Sequence, residues 1–259
     1  MSRIAFLFVF AVALLWHAHV PIGHAQGKPL RIAAASDLKF ALTPLVARFE
    51  KEAAASIAVT LGASGNLARQ IQQGAPFEVF LSADESLVYR LVESGHARDA
   101  GFIYAIGRLA LYVSNTSQLT PDENLAGLRQ YWPTVQKFAI ANPEHAPYGR
   151  AAREALASLG LWELVKPKIV YGENVTQAAQ FVSTGAAQAG LIAHSLALAP
   201  ELSSVGRYVV LPAALHAPLR QRAALMKNAG PLAADFFRFL QRQDTRESLR
   251  SAGFSVASE

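Results

Sequence analysis

The sequence predicts an α/β protein of two lobes, joined by two crossovers, with a ligand cleft between the lobes. Three observations carry this. Strand and helix patterns alternate from Leu30 to Gly95. The alternation restarts around Ile103 to Arg108, and a returning strand follows a second junction near Ala213. Two short loops of small residues, Ala33-Ala34-Ala35-Ser36-Asp37 and Gly62-Ala63-Ser64-Gly65-Asn66, each lie between a strand pattern and a helix pattern.

Leu30 to Ala35 is an apolar run with the length of a buried strand. Leu38, Ala41, Leu42, Leu45, Val46 and Phe49 then recur at helical spacing, with Ser36 or Asp37 as the expected N-cap. Ile57 to Leu61 is a second strand, and a helix carrying Leu67 and Ile71 follows it until Gly74-Ala75-Pro76. Phe77 to Leu81 is a third strand, after which Asp84 caps a helix with Leu87, Leu91 and Val92 that stops at Gly95. The βαβαβα order predicts a parallel sheet with helices on both faces. In the second unit Leu109 to Ser114, Phe138 to Ala141, Ile169 to Tyr171, Ala189 to Ala193 and Tyr208 to Leu211 read as strands. A loop rich in Pro and Asn follows the first of them, a helix runs from about Gly149 to Leu159 with Gly160 beyond its end, and Glu173-Asn174 opens another that Gly185 closes. Arg220 to Met226 is the returning strand, and two terminal helices complete the chain. The expected divisions are 1–25 as a signal segment, 26–106 and 213–259 as the first lobe, and 107–212 as the second.

The first residues, Met1-Ser2-Arg3, precede an apolar run from Ile4 to Trp16 and the small-residue site Gly23-His24-Ala25. This is the layout of a secretory signal cut after Ala25, and the run is shorter than the roughly 20 residues a membrane span needs. A periplasmic location is therefore expected. The absence of cysteine excludes a disulfide framework, a thiolate metal site and a lipidated N-terminal cysteine. Net charge is +5, but the basic residues are scattered, so nucleic acid is not an expected partner. A monomer is expected. The histidines His96, His145, His194 and His216 have no metal-ligand spacing, and Ser195 beside His194 lacks the G-x-S-x-G context of a hydrolase nucleophile.

The loops at Ser36 and Ser64, with those at Asn142 to Gly149 and Tyr171 to Val175, all lie at strand C-termini, where open α/β sheets bind small molecules. The two serine loops place hydroxyls and free backbone N–H groups at helix starts, the chemistry of an anion site without a counter-charge. Taken singly the features are bland: Ser36-Asp37 is a helix cap, Gly65-Asn66 a turn, Val175 a core residue and Tyr148 a packing aromatic.

Together these stretches resemble the periplasmic molybdate-binding proteins of ABC importers. The resemblance is carried by Ala33-Ala34-Ala35-Ser36-Asp37-Leu38, by Gly62 to Ile71, by Gly74 to Asp84, by Ala141 to Gly149, and by Gly172-Glu173-Asn174-Val175, in order along the chain. It implies the two-lobed periplasmic binding fold, no enzymatic activity, no cofactor, molybdate or tungstate as transported ligand, and an inner-membrane ABC permease as partner. The oxyanion shell it implies is Ser36, Ser64, Tyr148 and Val175, with Asp37 adjoining; the serines give hydroxyl and N–H bonds, Tyr148 and Val175 their N–H groups. No protein atom would ligate the metal itself. Some family members use a tyrosine hydroxyl near the end of the strand that here ends at Ala193; this chain has Ala193-His194 there, and Tyr148 stands where those members carry a small residue. The Tyr148 hydroxyl is expected to substitute. Asp37 is expected to turn back and cap its helix. If its carboxylate instead faces the ligand, a protonated oxyanion such as phosphate or arsenate becomes the rival. Less favoured readings are a secreted α/β hydrolase and a sensory domain of the same fold.

Overall fold

The computed structural model describes residues 28–256, so the expected signal segment and its cleavage site lie outside the described residues. The chain begins with β1 (Leu30–Ala35), a 3-10 turn (Ser36–Leu38), α1 (Lys39–Ala53), β2 (Ile57–Gly62), α2 (Ser64–Gln72), β3 (Val79–Ser82), α3 (Glu85–Glu93) and β4 (Phe102–Gly107). It continues through β5 (Leu109–Ser114), α4 (Ala126–Tyr131), β6 (Phe138–Ala141), α5 (Pro147–Ser158), α6 (Trp162–Val165), β7 (Ile169–Gly172), α7 (Val175–Ser183), β8 (Ala189–Ala193), α8 (His194–Ala197), α9 (Pro200–Ser203) and β9 (Gly206–Val210). It closes with β10 (Leu219–Leu225), α10 (Pro231–Phe239) and α11 (Gln243–Ser251).

Two five-stranded sheets result, in the orders β2-β1-β3-β10-β4 and β7-β6-β8-β5-β9. The chain passes from the first to the second between Gly107 and Leu109 and returns between Val210 and Leu219. These are the two crossovers of the two-lobed architecture. The expectation of a parallel sheet holds for β1 with β2 and β3, but β10 runs antiparallel to both β3 and β4. The second sheet is mixed in the same way, because β5 is antiparallel to β8 and β9. A strand that returns from the other lobe enters from the opposite end, which forces this reversal.

Burial follows the sequence pattern. In β1 every residue but Arg31 is buried, and α1 turns Ala41, Leu42, Leu45 and Phe49 inward. Phe49 meets Phe236 and Phe239 of α10, with ring centroids 5.1 and 5.3 Å apart and edge-on geometry, tying the first helix to the C-terminal region. The Asp84 carboxylate caps α3 by accepting from the Ser86 N–H at 2.9 Å. Beyond α5, Gly160 takes the left-handed conformation (φ +64°) that closes a helix without a Cβ clash.

Several local expectations need correction. Helix α5 starts at Pro147 rather than near Gly149, since a proline suits a first helical position. The Pro/Asn-rich loop contains α4, held by the Asp122 carboxylate, which accepts from the N–H groups of Ala126 and Gly127. Neither Ser36 nor Asp37 caps α1 with its side chain; the residue preceding that helix is Leu38, and no side chain caps it. Tertiary partners claim the Asp37 carboxylate instead.

Candidate functional site

Each expected site residue sits just past the C-terminal end of a strand. Ser36 and Asp37 follow β1 in the 3-10 turn, and Ser64 is the first residue of α2, after β2. Tyr148 is the second residue of α5, beyond β6, and Val175 the first of α7, beyond β7. The first N–H groups of a helix have no acceptor within it, so these positions offer donors. The structure brings all five residues together. They line one small cavity, along with Ala35, Gly62, Ala63, Ala83, Ala146 and Pro147. Two lobes and four loops thus meet on a space suited to a small ion.

The serines are set for donation. The Ser64 hydroxyl accepts from the buried Ala83 N–H at 3.0 Å, which occupies a lone pair and leaves its own proton to give. Ser36 is fixed through its carbonyl, which accepts from the Thr176 hydroxyl of α7 at 2.8 Å. Asn174 caps α7 by accepting from the Gln177 N–H at 3.1 Å, which orients the turn that presents Val175.

The lobes are closed on each other around this cavity. Besides the Thr176 bond, the Ser195 hydroxyl donates to the Asp37 carbonyl at 2.8 Å, and the Gly65 N–H donates to the His145 carbonyl at 3.0 Å. The Asn66 amide donates to Glu173, and Arg150 pairs with Asp84 at 2.6 Å. Burial would raise the Asp84 carboxyl, but the Ser86 N–H and Arg150 outweigh it and hold the group below its ordinary range. Gly65 is required for this approach: a Cβ there would lie 2.6 Å from the His145 carbonyl oxygen.

Behind the cavity lies a polar cluster that spans both lobes. Asp37 is 1% exposed. Its Oδ2 accepts from the Gln221 amide of β10, while its Oδ1 is buried without a partner. Gln221 also donates to the Tyr148 hydroxyl at 3.3 Å and accepts from the Tyr104 hydroxyl at 2.7 Å. Burial pushes the Asp37 carboxyl up to about 6, against the opposing pull of hydrogen bonds from Gln221 and Tyr148. Burial, then the Asp37 charge, pushes both tyrosines well above their ordinary value, so both stay neutral donors. The Tyr148 hydroxyl is therefore engaged by Gln221 and faces Asp37, rather than standing free.

Sequence reasoning missed Gln221, Tyr104, Thr176 and Ser195. Only Gln221 carries a signal. It falls between Leu219 and Ala223 on the buried face of β10, where period two calls for an apolar residue.

Comparison with known proteins adds to this geometry. Residues 30–255 match the family of bacterial extracellular solute-binding proteins. The chain belongs to that family. These solute-binding proteins capture ligands and are not enzymes. The molybdate-binding protein ModA of Azotobacter vinelandii is 33% identical to this solute-binding protein over 90% of this chain and 92% of its own length. ModA of Rhodobacter capsulatus is 36% identical over 80% of this chain and 81% of its own length. The solved Azotobacter vinelandii periplasmic molybdate-binding protein superposes with a TM-score of 0.81 at 29% identity, covering 88% of this chain and all (100%) of that one. The sulfate-binding protein SubI of Mycobacterium tuberculosis, at 15% identity and a TM-score of 0.73, shares the fold.

Proposed function

We propose that this solute-binding protein captures molybdate, and tungstate with it, and hands the ion to an inner-membrane ABC permease. The observation that carries the reading is the single small cavity into which Ser36, Asp37, Ser64, Tyr148 and Val175 converge from both lobes. The relatives named for molybdate support the choice of ion.

A tetrahedral dianion presents acceptor oxygens and no donor, so it is matched by hydroxyls and backbone N–H groups alone. In this reading Ser36 and Ser64 give hydroxyl and N–H bonds, and Tyr148 and Val175 give N–H groups at the starts of α5 and α7. Hydrogen bonds to a charged group are worth about 1.5–3 kcal/mol each, so a few suffice for tight capture after the costs of closure. Neutral donors also leave the ion free to depart for transport. Selection against sulfate, which has the same charge and shape, then rests on size. The Tyr148 hydroxyl acts on the ion through Asp37 and Gln221. Export by the N-terminal segment with cleavage after Ala25, division of the chain at 106 and 212, and action as a monomer complete the proposal.

Calorimetric titration of the purified protein with molybdate, tungstate, sulfate and phosphate, side by side, tests it. One-to-one binding of molybdate and tungstate, with sulfate and phosphate silent, is expected. Binding of phosphate alone would replace the proposed ligand, and silence with all four would remove the oxyanion reading.

A further inference from the structure

Asp37, whose carboxyl belongs to the polar cluster behind the cavity, is at odds with a donor-only site. Asp37 lines the space, is buried, and keeps one oxygen without a hydrogen-bond partner. A dianion placed there faces a third negative charge if Asp37 is ionised. The groups that face the carboxyl are the Tyr148 hydroxyl from α5, the Tyr104 hydroxyl from β4, the Gln221 amide from β10 and, on its backbone, the Ser195 hydroxyl from α8. No cation is among them. In a closed, buried cleft, repulsion of this kind is weakly screened.

We infer that Asp37 is a specificity-determining residue that shares one proton with the bound oxyanion, so a fully deprotonated dianion binds only together with a proton from solution. The inference rests on the cleft reading above. The proton sits on the free oxygen of Asp37, turning a repelling acceptor into one more donor toward the anion. A hydrogen-oxyanion that matches the cleft in size satisfies the same arrangement with its own proton, and the carboxylate then accepts; hydrogen phosphate, about as small as sulfate, is still excluded by size. The closed complex thus holds the same proton count for both classes, but only the deprotonated class takes that proton from the medium. Free Asp37 has its carboxyl raised to about 6 by burial, so it is ionised at neutral pH and above. Binding of molybdate must then weaken as pH rises, because the free protein has lost the proton that the complex needs.

The test is titration of the purified protein with sodium molybdate at pH 7, 8 and 9, each in Tris and in HEPES, whose ionisation heats differ. Uptake of close to one proton per bound ion at pH 8 is expected, with the apparent Kd weakening tenfold per pH unit from 7 to 9. Asp37→Asn is expected to take up none and to show no slope. Molybdate binding without buffer dependence and with a flat Kd in the unmodified protein would overturn the inference and leave the cleft reading intact. So would a proton uptake that persists in Asp37→Asn. Failure of molybdate to bind at any pH overturns both readings.

Discussion

The Ser36 and Ser64 loops read alike in the sequence and differ in the folded protein. Each follows a parallel strand of the first sheet and brings a serine to the same cavity. At Ser64 the surroundings are local to its own lobe: the hydroxyl holds the Ala83 N–H, and the next residue is a glycine that lets the other lobe approach. At Ser36 the surroundings come from elsewhere in the chain. Thr176 and Ser195 bind the carbonyls of Ser36 and Asp37, and Gln221 binds the neighbouring carboxylate. The same motif is thus a packed donor in one place and, in the other, a junction between lobes built around a buried acid. A residue's role here is set by what the tertiary fold brings to it.

The largest break in this comparison is expected at Gly65. Gly65→Ala puts a methyl group against the His145 carbonyl and holds the lobes apart. Losing the two N–H donors of the second lobe, each about 1.5–3 kcal/mol, predicts a fall in molybdate affinity of about 100-fold or more. Calorimetry reads the loss, and small-angle scattering with molybdate present should show a more extended particle than the unmodified protein.

Asp37→Asn comes next, and it acts on the free protein. The folded carboxyl titrates at about 6 against an ordinary value of 3.8, so folding is favoured by its protonation. Its contribution is full below about pH 4 and is lost as pH rises through about 6. The loss is at most about 3 kcal/mol, a figure that already includes the bonds to Gln221 and Tyr148. Asp37→Asn should therefore raise the Tm at pH 8 and leave it little changed at pH 4. An equal change at both values would show that burial of the charge is not what it relieves.

The serines sharpen the contrast. Ser64→Ala removes a proposed donor to the ion and also leaves the buried Ala83 N–H unpaired, which costs about 1–3 kcal/mol of stability. Ser36→Ala removes a proposed donor alone, since Ser36 is held through its carbonyl, which accepts from the Thr176 hydroxyl. Both should weaken binding by about 10- to 100-fold, while denaturant melts separate them, with only Ser64→Ala destabilised. The smallest effect is expected at Arg150, which is half-exposed. Arg150→Ala breaks the pair with Asp84 for less than about 1 kcal/mol, a change in affinity under about fivefold that shrinks further in high salt.

What the sequence makes legible is what depends on neighbours in the chain. The strands, the main helices, the Asp84 cap and the opening of α7 at Asn174 follow from spacing and from side chains that bond two or three residues away. The convergence of four loops follows from strand polarity, since every loop in question leaves a strand at the same end. Asp37 reads as a cap in the sequence because Ser-Asp between a strand and a helix looks the same whether or not a distant amide claims the carboxylate. Gln221 lies 184 positions away and Ser195 158, and nothing near Asp37 announces either. The mixed sheets escaped for the same reason, since the direction of β10 depends on the return from the other lobe.

Anomalous diffraction at the molybdenum edge, from crystals grown with molybdate, tests whether an oxyanion is held between the lobes by Ser36, Ser64, Tyr148 and Val175. One peak is expected in the cavity between these four residues, with oxygens in hydrogen-bond reach of both serine hydroxyls and of the Tyr148 and Val175 N–H groups. A peak elsewhere on the protein, or none from crystals in which calorimetry shows the ion bound, would contradict it.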